Sequence, residues 1–368
     1  MKSSIKVPIR ILCVFSRLGR GGAESMCMNL YRNIDRNKVQ FDFVKHTPTT
    51  GAFEGEILAL GGRIYEAPRY MIFNHISYQK WWSNHLKAHP EHQIIHGHFF
   101  TISPVYFSIA RRLGRITIGH CHTTDQQEKD LKTKLKKRIQ KRTEKYSDYC
   151  FACSQEAGKW LFPHKEFTVL NNAVDAEKFK FDAAIRDEVR TELSLDDSFT
   201  VGIVGSLSEV KNPFGTIEIF KAVHDKMPGA KLLWAGGGAL EQALRQKLKE
   251  EILTDAVIMT GVRSDVDRLM QAMDVFILPS LFEGLPVVLV EAQAAGLTCF
   301  CSEAVTTEAD ITGLCHFLPL GQPDLWADQI LSTDLTRYDT RETIRAAGYD
   351  IHTTAQWLQD FYLNLNRT

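Results

Sequence analysis

The sequence predicts two α/β domains, each built on a doubly wound parallel sheet. Its 368 residues exceed the size that one hydrophobic core usually serves, and 44% of them are apolar, which is enough to fill two cores. Short apolar runs alternate with longer amphipathic segments along most of the chain. That alternation is typical of parallel strands joined by crossover helices.

Two sets of predicted strands define the domains. The first set comprises 9–15, 41–45, 93–97, 116–120 and 149–153, and the second comprises 199–205, 230–235, 256–260 and 274–278. Between the sets, residues 176–197 lose apolar periodicity and gain charges, as a linker would. We therefore place the domains at 1–178 and 179–352, followed by a predicted C-terminal helix from 353.

Composition excludes several classes of protein. Lys plus Arg equals Asp plus Glu at 44 each, so no global positive field draws the chain to nucleic acid. Eight cysteines lie mostly in apolar runs, which indicates reduced thiols in a cytosol. The N-terminal apolar run is too short and too charged for a signal sequence or a membrane span. These features predict a cytoplasmic protein.

The most informative segment follows the apolar run Asp274–Leu278, which ends at Pro279. Pro286 fits the first turn of a helix, where its missing amide hydrogen costs nothing. The amides around Gly284, Leu285 and Val287 would then lack intrahelical partners. Together with the helix dipole, they make a site suited to a diphosphate.

Two glutamates flank this predicted helix start. Glu291 follows four consecutive apolar residues, where an ionised side chain is costly without partners. A ribose diol would supply two donors, and each hydrogen bond to a charged acceptor contributes roughly 1.5 to 3 kcal/mol. Glu283 is free to face the other end of a nucleotide sugar. The alternative is an ordinary buried helix with two solvated glutamates.

The Glu-x7-Glu spacing after Pro-Ser-x-Phe resembles the retaining glycosyltransferases of family 4, which have the GT-B fold. Seven further motifs occur in the same order as in that family: Gly21–Glu24, His120–Thr123, Ala152–Ser154, Asn172–Asp175, Gly205–Lys211, Gly236–Gly238 and Gly261–Arg263. The details around Met28–Asn33 and Glu291–Gly296 look most like the capsular and exopolysaccharide branch. The resemblance implies two Rossmann-like domains facing a central cleft, acceptor-binding first and nucleotide-sugar-binding second. It also implies that the final helix, 353–368, returns to the first domain.

The resemblance assigns the donor phosphates to the loop after Gly205. Lys211 would meet the diphosphate as a point charge, although a solvated loop lysine is an alternative. Most relatives carry arginine directly after the glycine, and here the residue is Ser206. Without that bidentate group, Lys211 and the helix that begins near Pro286 should provide more of the interactions with the diphosphate.

The resemblance assigns the nucleobase to the turn at Val262 and Arg263, through its backbone, and favours UDP. Asp265 and Asp267 imitate a metal-binding Asp-x-Asp, but Ser264 or Asp265 is better placed to cap a helix. We therefore expect a UDP-sugar donor, no other cofactor and no required metal.

The first domain contributes a glycine loop and a histidine. Gly21 and Gly22 resemble a loop that lies beside the donor phosphate and acceptor in relatives, with a plain tight turn as the alternative. His122 aligns with the active-site histidine of the family, while His120 is a weaker candidate. The His96 to His98 pair could bind metal, but no nearby cysteine or carboxylate completes such a set.

In this family, retention is usually explained by attack of the acceptor from the leaving group's own face, with the diphosphate taking the acceptor's proton. Under that scheme Lys211 stabilises charge on the diphosphate, as transition-state electrostatics require. Glu283 positions the sugar or supports positive charge at its anomeric centre, and Glu291 anchors the ribose. The predicted catalytic residues are therefore His122, Glu283 and Lys211.

A basic amphipathic helix is predicted between Lys129 and Lys145, with nine Lys or Arg against Asp130 and Glu144. Anionic lipid attracts such segments by roughly 1 kcal/mol per cation. The predicted membrane patch comprises Lys132, Lys136, Lys137, Arg138, Lys141 and Arg142. It would hold the enzyme at the inner leaflet, next to a polyprenyl-diphosphate-linked sugar or another glycan acceptor. A merely solvated helix face is the alternative.

Two competing functions share the predicted fold. A hydrolase or epimerase would consume UDP-sugar without an acceptor, and a noncatalytic nucleotide-sugar-binding scaffold would bind without transfer. Ser206 in place of arginine makes the scaffold conceivable. A nicotinamide dehydrogenase has little support, because no acidic residue follows a complete glycine fingerprint at the required spacing.

Overall fold

The computed structural model describes residues 7–19, 21–98, 100–122, 139–195 and 197–365, without the side chains of Ile72 and Phe100. The chain divides into two compact units. The first unit comprises Met1–Ala173 with Ile351–Thr368, and the second comprises Val174–Asp350. The division lies a few residues before the predicted boundary at 178.

A parallel sheet forms the centre of the first unit. Its strands, in chain order, are β1 Ile9–Val14, β2 Val39–Lys45, β3 Ile64–Glu66, β4 Ile94–Gly97, β5 Ile116–Cys121, β6 Tyr149–Ala152 and β7 Thr168–Val169. They lie in the order β3-β2-β1-β4-β5-β6-β7, and the described pairs are parallel. The chain therefore adds β2 and β3 on one side of β1 and then crosses to the other side, where it adds β4 to β7.

Helices connect these strands, as the amphipathic pattern predicts. In the described part of the first unit before Val174 they are α1 Gly22–Asn33, α2 Glu54–Ala59, α3 His75–Ala88, α4 Ser103–Arg112, α5 Thr143–Tyr146 and α6 Gln155–Leu161. Short 3-10 turns at Ile72–Asn74 and Phe100–Ile102 precede α3 and α4.

A second parallel sheet forms the centre of the second unit. Its strands are β8 Thr200–Val204, β9 Lys231–Ala235, β10 Val257–Gly261, β11 Val275–Leu278, β12 Thr298–Ser302 and β13 Cys315–Leu318, in the order β10-β9-β8-β11-β12-β13. The helices described here are α7 Ala176–Phe179, α8 Ala183–Glu192, α9 Pro213–Lys226, α10 Glu241–Glu250, α11 Val266–Ala272, α12 Val287–Ala294, α13 Pro323–Leu331 and α14 Arg341–Ala346. Two 3-10 turns, Glu209–Lys211 and Thr307–Ala309, complete it.

Both sheets bury both faces. Along β9, Leu232 and Trp234 belong to one hydrophobic cluster, whereas Leu233 and Ala235 belong to another. Successive side chains of a strand point to opposite faces, so the two clusters lie on the two sides of the sheet. Continuous apolar runs such as Val275–Leu278 follow from this two-sided burial.

The C-terminal helix, α15 Ile351–Leu365, packs on the first unit. Tyr362 is fully buried there, and its hydroxyl lies 2.6 Å from Nδ1 of His96. Gln359 accepts a hydrogen bond from the Asp35 amide at 2.9 Å. The final segment therefore belongs to the first unit in space although it follows the second in sequence.

The linker predicted at 176–197 is wrong, because this segment contains α7 and α8. Asp175 caps α7, and Asp182 caps α8 by accepting from the amides of Ala184 and Ile185. The charges that suggested a linker belong to exposed helix faces, while Val189 is buried. Strands β3, β7, β12 and β13 were not predicted, and β3 and β7 are short.

Within the described ranges, we find no helix with both the length and the apolar character needed to cross a bilayer.

Candidate functional site

The loops after β8, β9, β10 and β11 lie at one edge of the second sheet. β8 is flanked by β9 on one side and β11 on the other, so the strand order reverses between β8 and β11. Ligands of doubly wound sheets bind outside the carboxyl ends of the strands at such a reversal. The predicted donor residues of the second unit follow β8, β10 and β11, whereas Gly21 and Gly22 belong to the first unit.

The glycine loops pack backbone against backbone. The Gly205 amide donates to Ala235 O at 3.0 Å, and the Leu207 amide donates to Gly237 O at 3.1 Å. A Cβ on Gly236 would lie 1.8 Å from Gly205 O, and Gly236 has a φ of 149°. Because that space and conformation exclude other residues, Gly236 fixes the loop that contains Gly205 and Ser206.

Lys211 and Glu283 form an ion pair between Nζ and Oε1. Their side chains are 22% and 14% exposed, so the pair is shielded but open to a ligand. Ser280 is fully buried and donates to the same Glu283 oxygen at 2.8 Å. The structure therefore brings together two of the three predicted catalytic residues.

Asn212 joins these loops, and the sequence analysis missed it. It has a φ of 52°, caps α9 by accepting from the Gly215 amide, and donates to Pro279 O at 3.0 Å. This contact holds the Lys211 turn against the Glu283 loop. The sequence feature that could have identified its capping role was an asparagine directly before Pro213, at the start of a helix.

Helix α12 begins at Val287, one residue after the predicted position, with Pro286 as the N-cap. Among the described residues, the amides of Gly284, Leu285 and Val287 have no hydrogen-bond partner. A Cβ on Gly284 would meet nothing within 4 Å, so the space beside these amides is open. The helix start therefore has the donors and the room that an anion needs.

Glu291 lies in the middle of α12 and is partly buried. Burial raises its pKa to about 7. Two nearby charges have smaller effects: Lys178 lowers the pKa and Asp267 raises it. In the described part of the chain, its carboxyl makes no hydrogen bond or ion pair. Glu291 is therefore an acceptor without a donor.

The β10 turn leaves its backbone accessible. Val262 is 66% exposed, whereas the Arg263 guanidinium bonds both oxygens of Asp265 at 2.8 and 2.6 Å. Asp265 occupies the N-cap position of α11, but its side chain does not cap the helix. Asp267 is paired with Lys178 at 2.9 Å. Both carboxylates of the Asp-x-Asp sequence are thus engaged by cations.

Ser206 stands where relatives were expected to carry arginine. Its hydroxyl lies 3.1 Å from that of Ser208, and the pair is exposed. The cations described near this loop therefore come from other positions, with Lys211 packed against Gly205.

In the first unit, the loops after β1, β4 and β5 also lie at one sheet edge, because Val14 pairs with Gly97 and Gly97 pairs with Gly119. Gly21 is the N-cap of α1, and its Cβ would lie 2.4 Å from a Glu24 oxygen. Gly22 begins the helix with nothing within 4 Å of a Cβ. Gly21 therefore leaves room for the Glu24 carboxylate, whereas the space beside Gly22 is open.

Four histidines form a ring stack at this edge. The His122 ring lies 4.1 Å from that of His120, and the His98 ring lies 4.3 Å from that of His96. His98 Nδ1 and His122 Nε2 are 2.8 Å apart, which is a hydrogen bond. The predicted active-site histidine is therefore held by its neighbours, which the sequence analysis did not connect with it.

Burial lowers the pKa of each histidine in this stack, to about 3 for His96 and His122. The four rings are therefore neutral near pH 7. The expectation that no cysteine lies near His98 was wrong, because Cys13 and Cys27 lie next to it. The sequence features that could have suggested this group were one cysteine in β1 and another in α1.

Of the predicted membrane patch, Lys132, Lys136, Lys137 and Arg138 lie outside the described residues, as does Thr123 of the histidine motif. Lys141 and Arg142 are described, and both are exposed.

Comparison with known proteins gives the family. The model for Glycosyltransferase Family 4 matches residues 20–178, and the model for glycosyl transferases group 1 matches residues 185–315. EpsF of Bacillus subtilis, which is named as a glycosyltransferase, is 32% identical over 98% of this chain and 97% of its own length. The chain belongs to the family 4 glycosyltransferases.

A second relative of this glycosyltransferase is the UDP-Gal:alpha-D-GlcNAc-diphosphoundecaprenol alpha-1,3-galactosyltransferase of Escherichia coli. It is 33% identical over 37% of this chain and 36% of its own length. Among solved structures, Anabaena Alr3699/HepE in complex with UDP has a TM-score of 0.78 and 17% identity, over 97% of this chain and 100% of its own. The two parallel-sheet units and this likeness confirm the GT-B fold.

Proposed function

We propose that this glycosyltransferase moves a hexose or N-acetylhexosamine from a UDP-sugar to a lipid-linked glycan acceptor, with retention at the anomeric carbon. The product would be a capsular polysaccharide, exopolysaccharide or O-antigen. The second unit binds the donor and the first unit binds the acceptor in this proposal.

The observation that carries the proposal is the unpartnered carboxyl of Glu291 beside the open start of α12. A partly buried carboxyl with a pKa near 7 and no donor of its own is suited to a ligand that brings hydroxyl donors. The vicinal hydroxyls of a ribose fit this requirement. The amides of Gly284, Leu285 and Val287 suit the diphosphate of the same ligand.

Relatives support the choice of uridine and of a lipid carrier. The Escherichia coli relative is named for UDP-Gal and for a diphosphoundecaprenol acceptor, and Anabaena HepE was solved with UDP and with UDP-glucose. TuaC of Bacillus subtilis is named for teichuronic acid biosynthesis, and VipC/TviE of Salmonella typhi is named for Vi polysaccharide biosynthesis. Both names agree with a role in polysaccharide assembly.

In the proposed reaction the acceptor hydroxyl attacks from the face that the diphosphate leaves. Lys211 turns from Glu283 to the diphosphate and stabilises its developing charge together with the α12 amides. Glu283, held by Ser280, is then free to support positive charge at the anomeric carbon. In the first unit, His122 is the proposed contact for a sugar substrate. The leaving diphosphate takes the acceptor's proton, so no enzyme nucleophile is required.

We also propose that the transfer needs no metal at the diphosphate. Lys211 and the helix start provide the positive charge that a divalent cation supplies in other glycosyltransferases. The carboxylates of Asp265 and Asp267 are already paired with Arg263 and Lys178, which supports this assignment.

Thermal unfolding with UDP, GDP, ADP and NAD tests the donor assignment. We expect UDP to raise the melting temperature, because a ligand at 100 times its Kd adds about 2.7 kcal/mol of stability. The other three nucleotides should have little effect at the same concentration.

A stabilising ligand should then be followed to product. UDP release from UDP-sugar that requires a polyprenyl-diphosphate-linked acceptor supports transfer, whereas rapid release without acceptor indicates a hydrolase. UDP binding without turnover on any tested donor and acceptor indicates a scaffold. Stabilisation by GDP instead of UDP contradicts the uridine assignment.

A peripheral position at the inner face of the cytoplasmic membrane completes the proposal. The segment Lys129–Lys145 has seven net positive charges by sequence, and the lipid-linked acceptor would be at the same surface. In vesicle flotation, we expect the protein to rise with vesicles that contain anionic lipid and not to rise with neutral vesicles. Replacing Lys136, Lys137 and Arg138 with glutamine should reduce flotation. Equal recovery with both vesicle types would remove the electrostatic assignment.

A further inference from the structure

Three potential metal ligands converge inside the first unit. Cys13 lies on β1, Cys27 lies on α1, and His98 follows β4. One ligand atom of each lies within 4.8 Å of those of the other two. Their residues are 0%, 2% and 7% exposed, so the group is enclosed by the fold.

The donor atoms suit a thiophilic ion such as zinc. In tetrahedral zinc sites, Zn–S distances of about 2.3 Å and Zn–N distances of about 2.0 Å place neighbouring ligand atoms roughly 3.4 to 3.8 Å apart. The ligand atoms of this group lie within 4.8 Å of one another, so side-chain rotation would have to bring them closer together to coordinate one ion. Magnesium and calcium prefer oxygen ligands, and this group has none.

His98 has a ring nitrogen with no other use. Its Nδ1 is bonded to His122, whereas its buried Nε2 has no hydrogen-bond partner among the described residues. His120, which is fully buried, has the same deficiency at Nε2. A buried polar atom without a hydrogen-bond partner is unfavourable, and coordination to a metal ion would satisfy it.

We propose that the first unit binds one zinc ion through Sγ of Cys13, Sγ of Cys27 and Nε2 of His98. A second set of three, His96, His98 and His120, also has ligand atoms within 4.8 Å of one another. The proposed ion occupies the first set, whose two thiolates are typical zinc ligands, and the second set is an alternative that the test distinguishes. The ion would join β1, α1 and the loop after β4.

Zinc at this position would also orient His122. A histidine that coordinates metal through Nε2 carries its proton on Nδ1, so His98 would donate to Nε2 of His122. His122 must then carry its own proton on Nδ1, which has no partner among the described residues. The ion would thus act on His122 through His98, as a positioning element without contact with the substrate.

The test is the metal content and spectrum of the full-length protein. We expect about one zinc per chain after purification without chelator. After exchange to cobalt, we expect the near-ultraviolet thiolate-to-cobalt charge-transfer band of a cysteine-coordinated ion. Cys27→Ser should lose both the zinc and the band. Cys150→Ser is the matched control, because Cys150 is a buried cysteine of the same unit outside the group, and this variant should keep both.

A second measurement uses the unaltered protein, so its result does not depend on whether a variant folds. Titration of the thiols with an organomercurial should release zinc to a metallochromic dye as the thiols react. Absence of bound zinc, together with failure of added zinc to raise the melting temperature, overturns the proposal. Zinc kept by Cys27→Ser but lost by His120→Asn would overturn the cysteine ligands in favour of the three histidines.

Discussion

Replacing Glu291 with alanine is expected to weaken UDP-glucose binding by about 100-fold. The proposed ribose contact contains two hydrogen bonds to a carboxylate, each contributing roughly 1.5 kcal/mol or more. Their loss amounts to about 3 kcal/mol, and each 1.4 kcal/mol is a factor of ten in affinity. Glu291→Gln keeps hydrogen-bonding atoms and should lose less. Isothermal titration calorimetry with UDP-glucose measures both variants.

The same contact predicts a dependence on pH. Burial raises the pKa of Glu291 to about 7 in the empty protein, while ribose donors stabilise the ionised form and so lower the pKa in the complex. Binding therefore favours the deprotonated state, and affinity should rise with pH up to about 7 and then level off. UDP-glucose is the suitable probe because its diphosphate does not titrate in this range.

The stability of the empty protein should show the opposite trend. A carboxyl whose pKa is higher in the folded than in the unfolded state stabilises the fold at low pH. That contribution is lost as pH rises from about 4.3 through 7. Glu291→Gln should remove both effects, whereas the exposed Glu218→Gln in α9 should retain them. A flat affinity profile in the unaltered protein would contradict the ribose contact.

Glu283→Gln is expected to lower kcat by a factor of about 100 to 1,000. The substitution keeps the side chain's shape but removes the charge that pairs with Lys211 and that is proposed to support the anomeric carbon. Removing one preorganised electrostatic group from an active site typically has an effect of this size. Steady-state transfer from UDP-sugar to a lipid-linked acceptor gives kcat, and unfolding experiments exclude a loss of fold.

Lys211→Met should cost a similar factor, and the double variant should lose much less than the product of the two. The two side chains act as a unit, so their effects are not additive. The Lys247–Glu251 pair, 2.6 Å apart at the C-terminal end of α10, provides the control, and Glu251→Gln there should leave turnover unchanged. Full turnover of Glu283→Gln would disprove its proposed role.

Much of the fold could be predicted because its signals are local. β1, β6 and β11 are short apolar runs that end near a proline, a glycine or a polar residue, and they lie within two residues of their predicted positions. The two helices in the charged segment 176–197 were not predicted. Its few apolar residues are too sparse to predict a helix until the surface that they cover is known. Asp182 was the signal of a helix start.

Within the donor site, the sequence predicted the groups but not their partners. Lys211 and Glu283 are 72 positions apart, and their ion pair depends on β8 and β11 lying side by side. Asn212 contributes through its unusual backbone conformation, which brings its amide group to Pro279.

Sequence alone predicts that this chain has two parallel α/β units and that glycines, a lysine and two glutamates follow the strands. Apolar periodicity and turn residues act over a few positions, so they are visible without the fold. The tertiary structure decided which side chains meet: Lys211 with Glu283, and Cys13 and Cys27 with His98. Such contacts depend on strand order and on helices packing across a sheet, which join residues that no local pattern connects.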